Sequence, residues 1–248
     1  MSRQTAETFI AMRTHPGLSA GVGSRPGLFV AAALAVVSLA GCAHPYADVI
    51  RPIPAGAPIA LPNPDLASVV LPHGTAKGDC GPEALCAVMT FWGDDCPVKT
   101  ASRALYNASL QGTVSMDLVP FARGRGFEAE FAEGTLDSLR RDTEAGRPVV
   151  VMVDVALLPF AHQKSSPISG WFHFFPVVGI DPQTGDVLCA HYEGARLAIK
   201  ADAFDVAWKA CGRFAVALRP GPELALRILE KEQSPAAVST GFDTGASD

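Results

Sequence analysis

Six cysteines and six histidines carry most of the reactive chemistry available to this 248-residue chain. One cysteine stands apart by its surroundings. The run Gly78-Asp79-Cys80-Gly81-Pro82-Glu83-Ala84-Leu85 sets Cys80 at the mouth of a predicted helix. Pro82 suits the first helical turn and Gly93 suits the stop. Orphan backbone N–H groups and the positive end of the helix dipole favour an anion there. A thiol in that place is expected to lose its proton readily and to act as a nucleophile. Gly81 is expected to let substrate approach closely, and the Cys80 N–H to help hold a developing oxyanion. Such a nucleophile needs a base. His173 is the candidate, inside the apolar run Trp171-Phe172-His173-Phe174-Phe175-Pro176-Val177-Val178.

The elements that must position these residues change period halfway along the chain. Leu85, Val88, Met89 and Trp92 fall at helical spacing, which predicts one buried stripe. Two shorter helices are expected over 98–106 and 115–123, the second capped by Ser115 and limited by Pro120. A short strand is expected over 127–131, and a helix over 135–145 with Thr135 as cap and Gly146 as stop. Residues 148–155 form a continuous β-branched run, as in a strand buried on both faces. Residues 171–180 form another. Strands over 186–191 and 196–200 flank a turn, a helix capped by Asp202 runs to Lys209, and a last strand covers 213–218. Helices first and a mostly antiparallel sheet afterwards predict an α+β domain.

The two ends read differently. Residues 1–41 resemble a bacterial lipoprotein signal peptide, with arginines before a short apolar run that ends in Leu39-Ala40-Gly41-Cys42. Cys42 is the expected lipidation site, and Ala43 after it favours outer-membrane sorting, facing the periplasm. Residues 42–65 hold six prolines from Pro45 to Pro64 and are expected to form an extended tether. The folded domain is expected over 66–232, and 233–248, rich in Ser, Thr, Gly and Ala, as a disordered tail. The net charge of −5 leaves no basic face for nucleic acid.

Asp79-Cys80-Gly81-Pro82 before an apolar helix, then a strand of the form His-apolar-Val-Val-Gly-Ile-Asp, resembles cysteine peptidase family 39, the bacteriocin-processing, double-glycine leader peptidases. The resemblance covers about 71–218 and implies a papain-like fold. It implies Cys80 as nucleophile and His173 as general base, with acyl transfer through a thioester. Two positions depart from the family pattern. No Gln precedes Cys80, so His73 is expected to donate to the oxyanion in its place. The family's orienting Asp or Asn falls at or beside His191, with Glu193 as the alternative; a histidine there supplies no fixed negative charge. No nucleotide-binding glycine loop accompanies the domain, so the resemblance is to the freestanding, lipid-anchored branch. A peptide or protein substrate is implied, with no cofactor. The alternative is a weak or inactive peptide-binding module.

Export implies an oxidising compartment. Four cysteines besides Cys42 and Cys80 then allow bridges Cys86–Cys96 and Cys189–Cys211, or four buried free thiols. Metal binding is not expected, because Cys and His lack close paired spacing.

Overall fold

The computed structural model describes residues 49–74, 78–158 and 172–233, all within one compact unit. Cys42, the segment before it, and residues 234–248 lie outside the described residues. The chain opens on strand β1 (Ile50–Ile53) and a 3-10 turn (Pro64–Ser68). The nucleophile's helix α1 (Cys80–Phe91) and α2 (Val98–Leu105) follow. A small hairpin, β2 (Tyr106–Asn107) with β3 (Gly112–Thr113), leads to α3 (Leu118–Gly124). Then come β4 (Phe127–Glu133), α4 (Leu136–Glu144), β5 (Val149–Asp154) and β6 (Phe172–Ile180). The chain continues through β7 (Val187–Ala190), β8 (Arg196–Ile199), α5 (Ala201–Lys209), β9 (Phe214–Pro220) and α6 (Pro222–Gln233).

Seven strands form one sheet in the order β1-β8-β7-β6-β5-β9-β4, every neighbouring pair antiparallel. The α+β expectation holds, with helices on both faces. On one face α1, α2, α3 and Leu224 of α6 share a core with Phe174 and Val178. On the other, Leu139 of α4 and Phe204 and Trp208 of α5 pack against Val151, Phe175 and Val177. Helix α1 is not the one-striped helix its periodicity suggested. Residues 81–89 are all buried, because the sheet covers one side and neighbouring helices the other. Helix α4 starts where its sequence predicts: Thr135 and Ser138 exchange hydrogen bonds as a capping box. Helix α5 starts on Lys200, without a side-chain cap from Asp202. Ser115 opens a 3-10 turn, and Pro120 sits within the first turn of α3, where no N–H is needed.

The proline-rich stretch corrects the expected tether. Its latter half is part of the domain. β1 pairs with β8 from Ile50↔Ile199 to Ile53↔Arg196. A Cβ on Gly179 would lie 2.8 Å from Pro62 Cδ, so that residue must be glycine for the segment to cross the sheet. The register of β6 against β7 shifts at this place. Asn63 caps the following turn through its side chain, and Leu66 and Val69 are fully buried. The buried Arg196 donates to the carbonyls of Ala67, Gly194 and Ala195, tying this segment to the β7–β8 hairpin. Prolines fit here because β1 is an edge strand, where one missing donor costs little. At the other end α6 runs to Gln233, so helix occupies the start of the expected tail.

Cys86 and Cys96 are bridged, their Cα atoms 5.1 Å apart. Cys189 and Cys211 are not bridged. Cys189 points into the core between β6 and β8, whereas Cys211 follows α5, which packs over β5 and the turn after it. Thiol titration of the unfolded full chain is expected to release two further thiols on reduction. Release of four would restore the Cys189–Cys211 bridge, and release of none would remove Cys86–Cys96.

Candidate active site

The first residue of α1 is Cys80, half-buried, and the helix below it is packed against β6. The backbone N–H of Phe174 reaches the Cys80 thiol, which sets the sulfur against the strand one residue from His173. The thiol thus meets the main chain of the strand that bears His173. Structure and sequence differ on its electrostatics. Burial pushes the Cys80 thiol above its ordinary value, the Phe174 N–H offsets part of this, and the nearby Glu83 carboxylate adds to it. Desolvation outweighs the helix terminus, so the resting group is a neutral thiol. Burial, with a smaller contribution from His191, lowers His173 to about 3. The resting pair is thus thiol and neutral imidazole, which is the protonation state a general base needs.

His173 is 6% exposed, and its ring meets the edge of Phe175 at 4.5 Å. Among the described residues no hydrogen bond joins His173 to Cys80 or to His191. In unliganded sites such bonds are often long and tighten on substrate binding. His191 follows β7 directly. Its N–H donates to Ala195 O at 3.0 Å, and its carbonyl accepts from Leu71 N–H at 3.3 Å. Its ring stands edge-on to Tyr192, and burial lowers its pKa, with His73 adding to the effect. His191 thus bears on His173 through its field, not by a hydrogen bond.

The structure places His73, the expected oxyanion donor, beside Tyr192 and Glu193. Its ring stacks flat on Tyr192, with centroids 4.5 Å apart, and Nε2 lies 3.7 Å from Glu193. Its side chain is 64% exposed. Glu193 is 85% exposed beside it and does not orient His173. Asp181 is occupied in its own turn, accepting from the N–H groups of Gln183 and Thr184. The Cys80 N–H remains the donor that the helix start itself supplies.

Gly81 has a packing reason that differs from the expected one. A Cβ there would lie 2.8 Å from Thr113 Cβ. Gly78, with φ +93°, faces Gln111 O in the same way at 2.7 Å. The β2–β3 hairpin thus seats against the chain on both sides of Cys80 and forms one wall of the site. Two polar residues escaped the sequence reading. Glu83, buried one turn into α1, accepts from Tyr192 O–H at 2.6 Å and from Gly74 N–H. A lone acid on an otherwise apolar buried helix was the available signal. Tyr192 carried none, since its partner is 109 positions away in the chain.

Two surface hollows lie elsewhere. One is lined by Asp94, Arg123, Arg125 and Arg227, the other by Glu128, Glu130, Asp142 and Arg147. Neither includes Cys80 or His173. Among the described residues no group of three or more His, Cys, Asp or Glu side chains is placed to hold a metal ion, and no helix is long and apolar enough to cross a membrane.

No protein-family model matches the chain, and no curated protein matches it. Among solved structures it is similar to the peptidase domain of Streptococcus ComA, a bifunctional ABC transporter involved in a quorum-sensing pathway. That match has a TM-score of 0.46 and 20% identity, and covers 62% of this chain and 98% of that one. It is also similar to a C39-like peptidase from Bacillus anthracis, at TM-score 0.48 and 15% identity, over 62% of this chain and 95% of that one. A third match is a double-glycine-motif protease from an AMS/PCAT transporter, solved in complex with the leader peptide. Its TM-score is 0.44 at 16% identity, over 61% of this chain and 90% of that one.

Proposed function

We propose that the chain is a cysteine peptidase-like protein of the bacterial cell envelope, anchored by lipid on Cys42, that cleaves peptide bonds by acyl transfer. The observation that carries this reading is the Cys80 thiol at the head of a buried helix, held against the main chain of the strand that bears His173. In the reaction Cys80 Sγ attacks the peptide carbonyl carbon as His173 takes its proton. The Cys80 N–H donates to the resulting oxyanion. Collapse to the thioester expels the amine, which receives the proton from His173. Water then adds with His173 as base and releases the acid. The Cys86–Cys96 bridge suits the oxidising compartment that export would provide.

A specific observation favours a second reading. Among the described residues no carboxylate is paired with His173, and the residue expected to orient it, His191, is itself driven toward neutrality by burial. Loss of a triad's fixed negative charge costs on the order of 10⁴ in rate. A peptide-binding module with vestigial chemistry fits that arrangement.

Alkylation of the full chain separates the two. With iodoacetamide, Cys80 labelling is expected to be slow at neutral pH and to rise through pH 9, as a desolvated thiol requires. With a dipeptidyl chloromethyl ketone, which places a carbonyl at the oxyanion position, His173→Ala is expected to slow Cys80 labelling by about tenfold or more. Cys80→Ser should abolish it. Ketone labelling indifferent to His173 would sink the peptidase reading and leave the binding module.

A further inference from the structure

The carboxylate of Glu83 joins three segments that meet around the candidate nucleophile. The helix it sits on begins at Cys80, three residues earlier. Its Oε1 accepts from Gly74 N–H, in the stretch that leads into the nucleophile. Its Oε2 accepts from Tyr192 O–H at 2.6 Å, in the hairpin turn that carries His191. The stretch is built around this contact: a Cβ on Gly74 would collide with Glu83 Oε1 and lie 2.6 Å from Asp79 Cβ. The same two outer segments are joined directly, by the Leu71–Tyr192 bridge, by Leu71 N–H on His191 O, and by the His73 ring on Tyr192.

A carboxylate 5% exposed on a helix whose residues 81–89 are all buried is costly. An apolar residue of similar size would pack there at lower cost, and removing one partner of a buried charge is worse than never placing it. Both oxygens are nevertheless taken up, each by a donor from a different segment. The hydrogen bonds reach across the site and not within the helix. Stabilising α1 alone would not require them.

We infer that Glu83 is a positioning residue, clasping the chain before Cys80 and the turn after His191 onto the helix that presents the nucleophile. The inference rests on the reading of Cys80 as nucleophile. It gives the orienting histidine a route to alignment that needs no bond to His173: Glu83 holds Tyr192, and His191 is its chain neighbour. Burial raises both the phenol and the carboxyl, while their mutual hydrogen bond raises the first and lowers the second. Burial and the Glu83 hydrogen bond raise the Tyr192 hydroxyl, so it stays a donor, while burial raises Glu83 against the pull of its two donors.

Hydrogen exchange on the full chain tests this, with Glu83→Ala, Glu83→Gln and Tyr192→Phe. Glu83→Gln can still accept from Gly74 and donate to the Tyr192 oxygen. In Glu83→Ala, exchange in 69–74 and in 190–195 is expected to rise together by about tenfold, the loss of roughly one buried hydrogen bond, while β5 and β9 keep their protection. Labelling of Cys80 by the dipeptidyl chloromethyl ketone should fall by about tenfold relative to iodoacetamide at the same pH, since only the ketone needs the aligned site. Glu83→Gln should restore both readouts, and Tyr192→Phe should loosen 190–195 with a smaller loss of ketone labelling. Exchange that rises in one segment alone or in neither, or a Glu83→Gln that behaves like Glu83→Ala, would overturn the clasp. Tyr192→Phe serves where Glu83→Ala does not fold: wild-type exchange in that variant would also overturn it. Coupled exchange in a protein whose wild type ignores the ketone would instead overturn the nucleophile reading, and with it the positioning role.

Discussion

Below pH 6.5 the domain is expected to lose stability by roughly 1 kcal/mol per pH unit through His173 alone, a loss that continues toward pH 3. In the unfolded chain the imidazole takes a proton near its ordinary 6.5. In the fold it resists protonation down to about 3, because its ring is buried and His191 adds a like charge. The unfolded state therefore binds more protons across this window. Stability is fully present above pH 6.5 and drains away as pH falls. His191, also lowered by burial, adds in the same direction. Urea unfolding between pH 7.5 and 5 isolates the effect, since most carboxylates stay charged there. His173→Gln is expected to flatten the slope. A wild type equally stable at pH 7 and pH 5 would show that the ring reaches solvent and takes its proton in the folded state.

Leu66→Ala is expected to cost about 2–5 kcal/mol, the range for removing a fully buried leucine side chain. The size matters because Leu66 belongs to the segment that crosses the sheet before α1. Truncation at residue 65 should cost more than the substitution at the neighbouring site, since it removes β1, the Pro62 contact on Gly179 and the Asn63 cap together. Denaturant midpoints with an unchanged slope would report the loss directly. A shift below about 0.5 kcal/mol, the scale of surface substitutions, would mean that the segment hangs free of the core.

The parts of the fold legible in the sequence are those whose signals are local. β5 and β6 show as uninterrupted apolar runs because both their faces are covered. α4 shows through its capping pair and the glycine that ends it, and α1 through Pro82 and Gly93. β1 was hidden because proline density reads as tether, and the tolerance of an edge strand for proline depends on a partner some 150 residues away. α6 was hidden by the composition of the residues after it, although Gly221-Pro222-Glu223 is a fair helix start. In the site, the places of Cys80 at the head of α1 and of His173 within β6 were readable from their settings. The surroundings of His73 were not, because stacking on Tyr192 and pairing with Glu193 are tertiary facts. Thiol charge was misjudged for a related reason: a helix terminus is visible in sequence, but desolvation depends on what covers it.

The sheet ends in two unpaired borders, β1 and β4, and each is blunted differently. β1 is four residues long and contains Pro52, which has no N–H to offer. β4 is longer and carries Glu128, Glu130 and Glu133, with Glu128 already engaged by Arg219. Charge and proline at sheet borders discourage strand-to-strand self-association. These borders are therefore poor places for a second copy, or for an extended peptide, to add as another strand. Replacing those three glutamates with glutamine should consequently leave the β4 border open to pairing and promote aggregation at neutral pH.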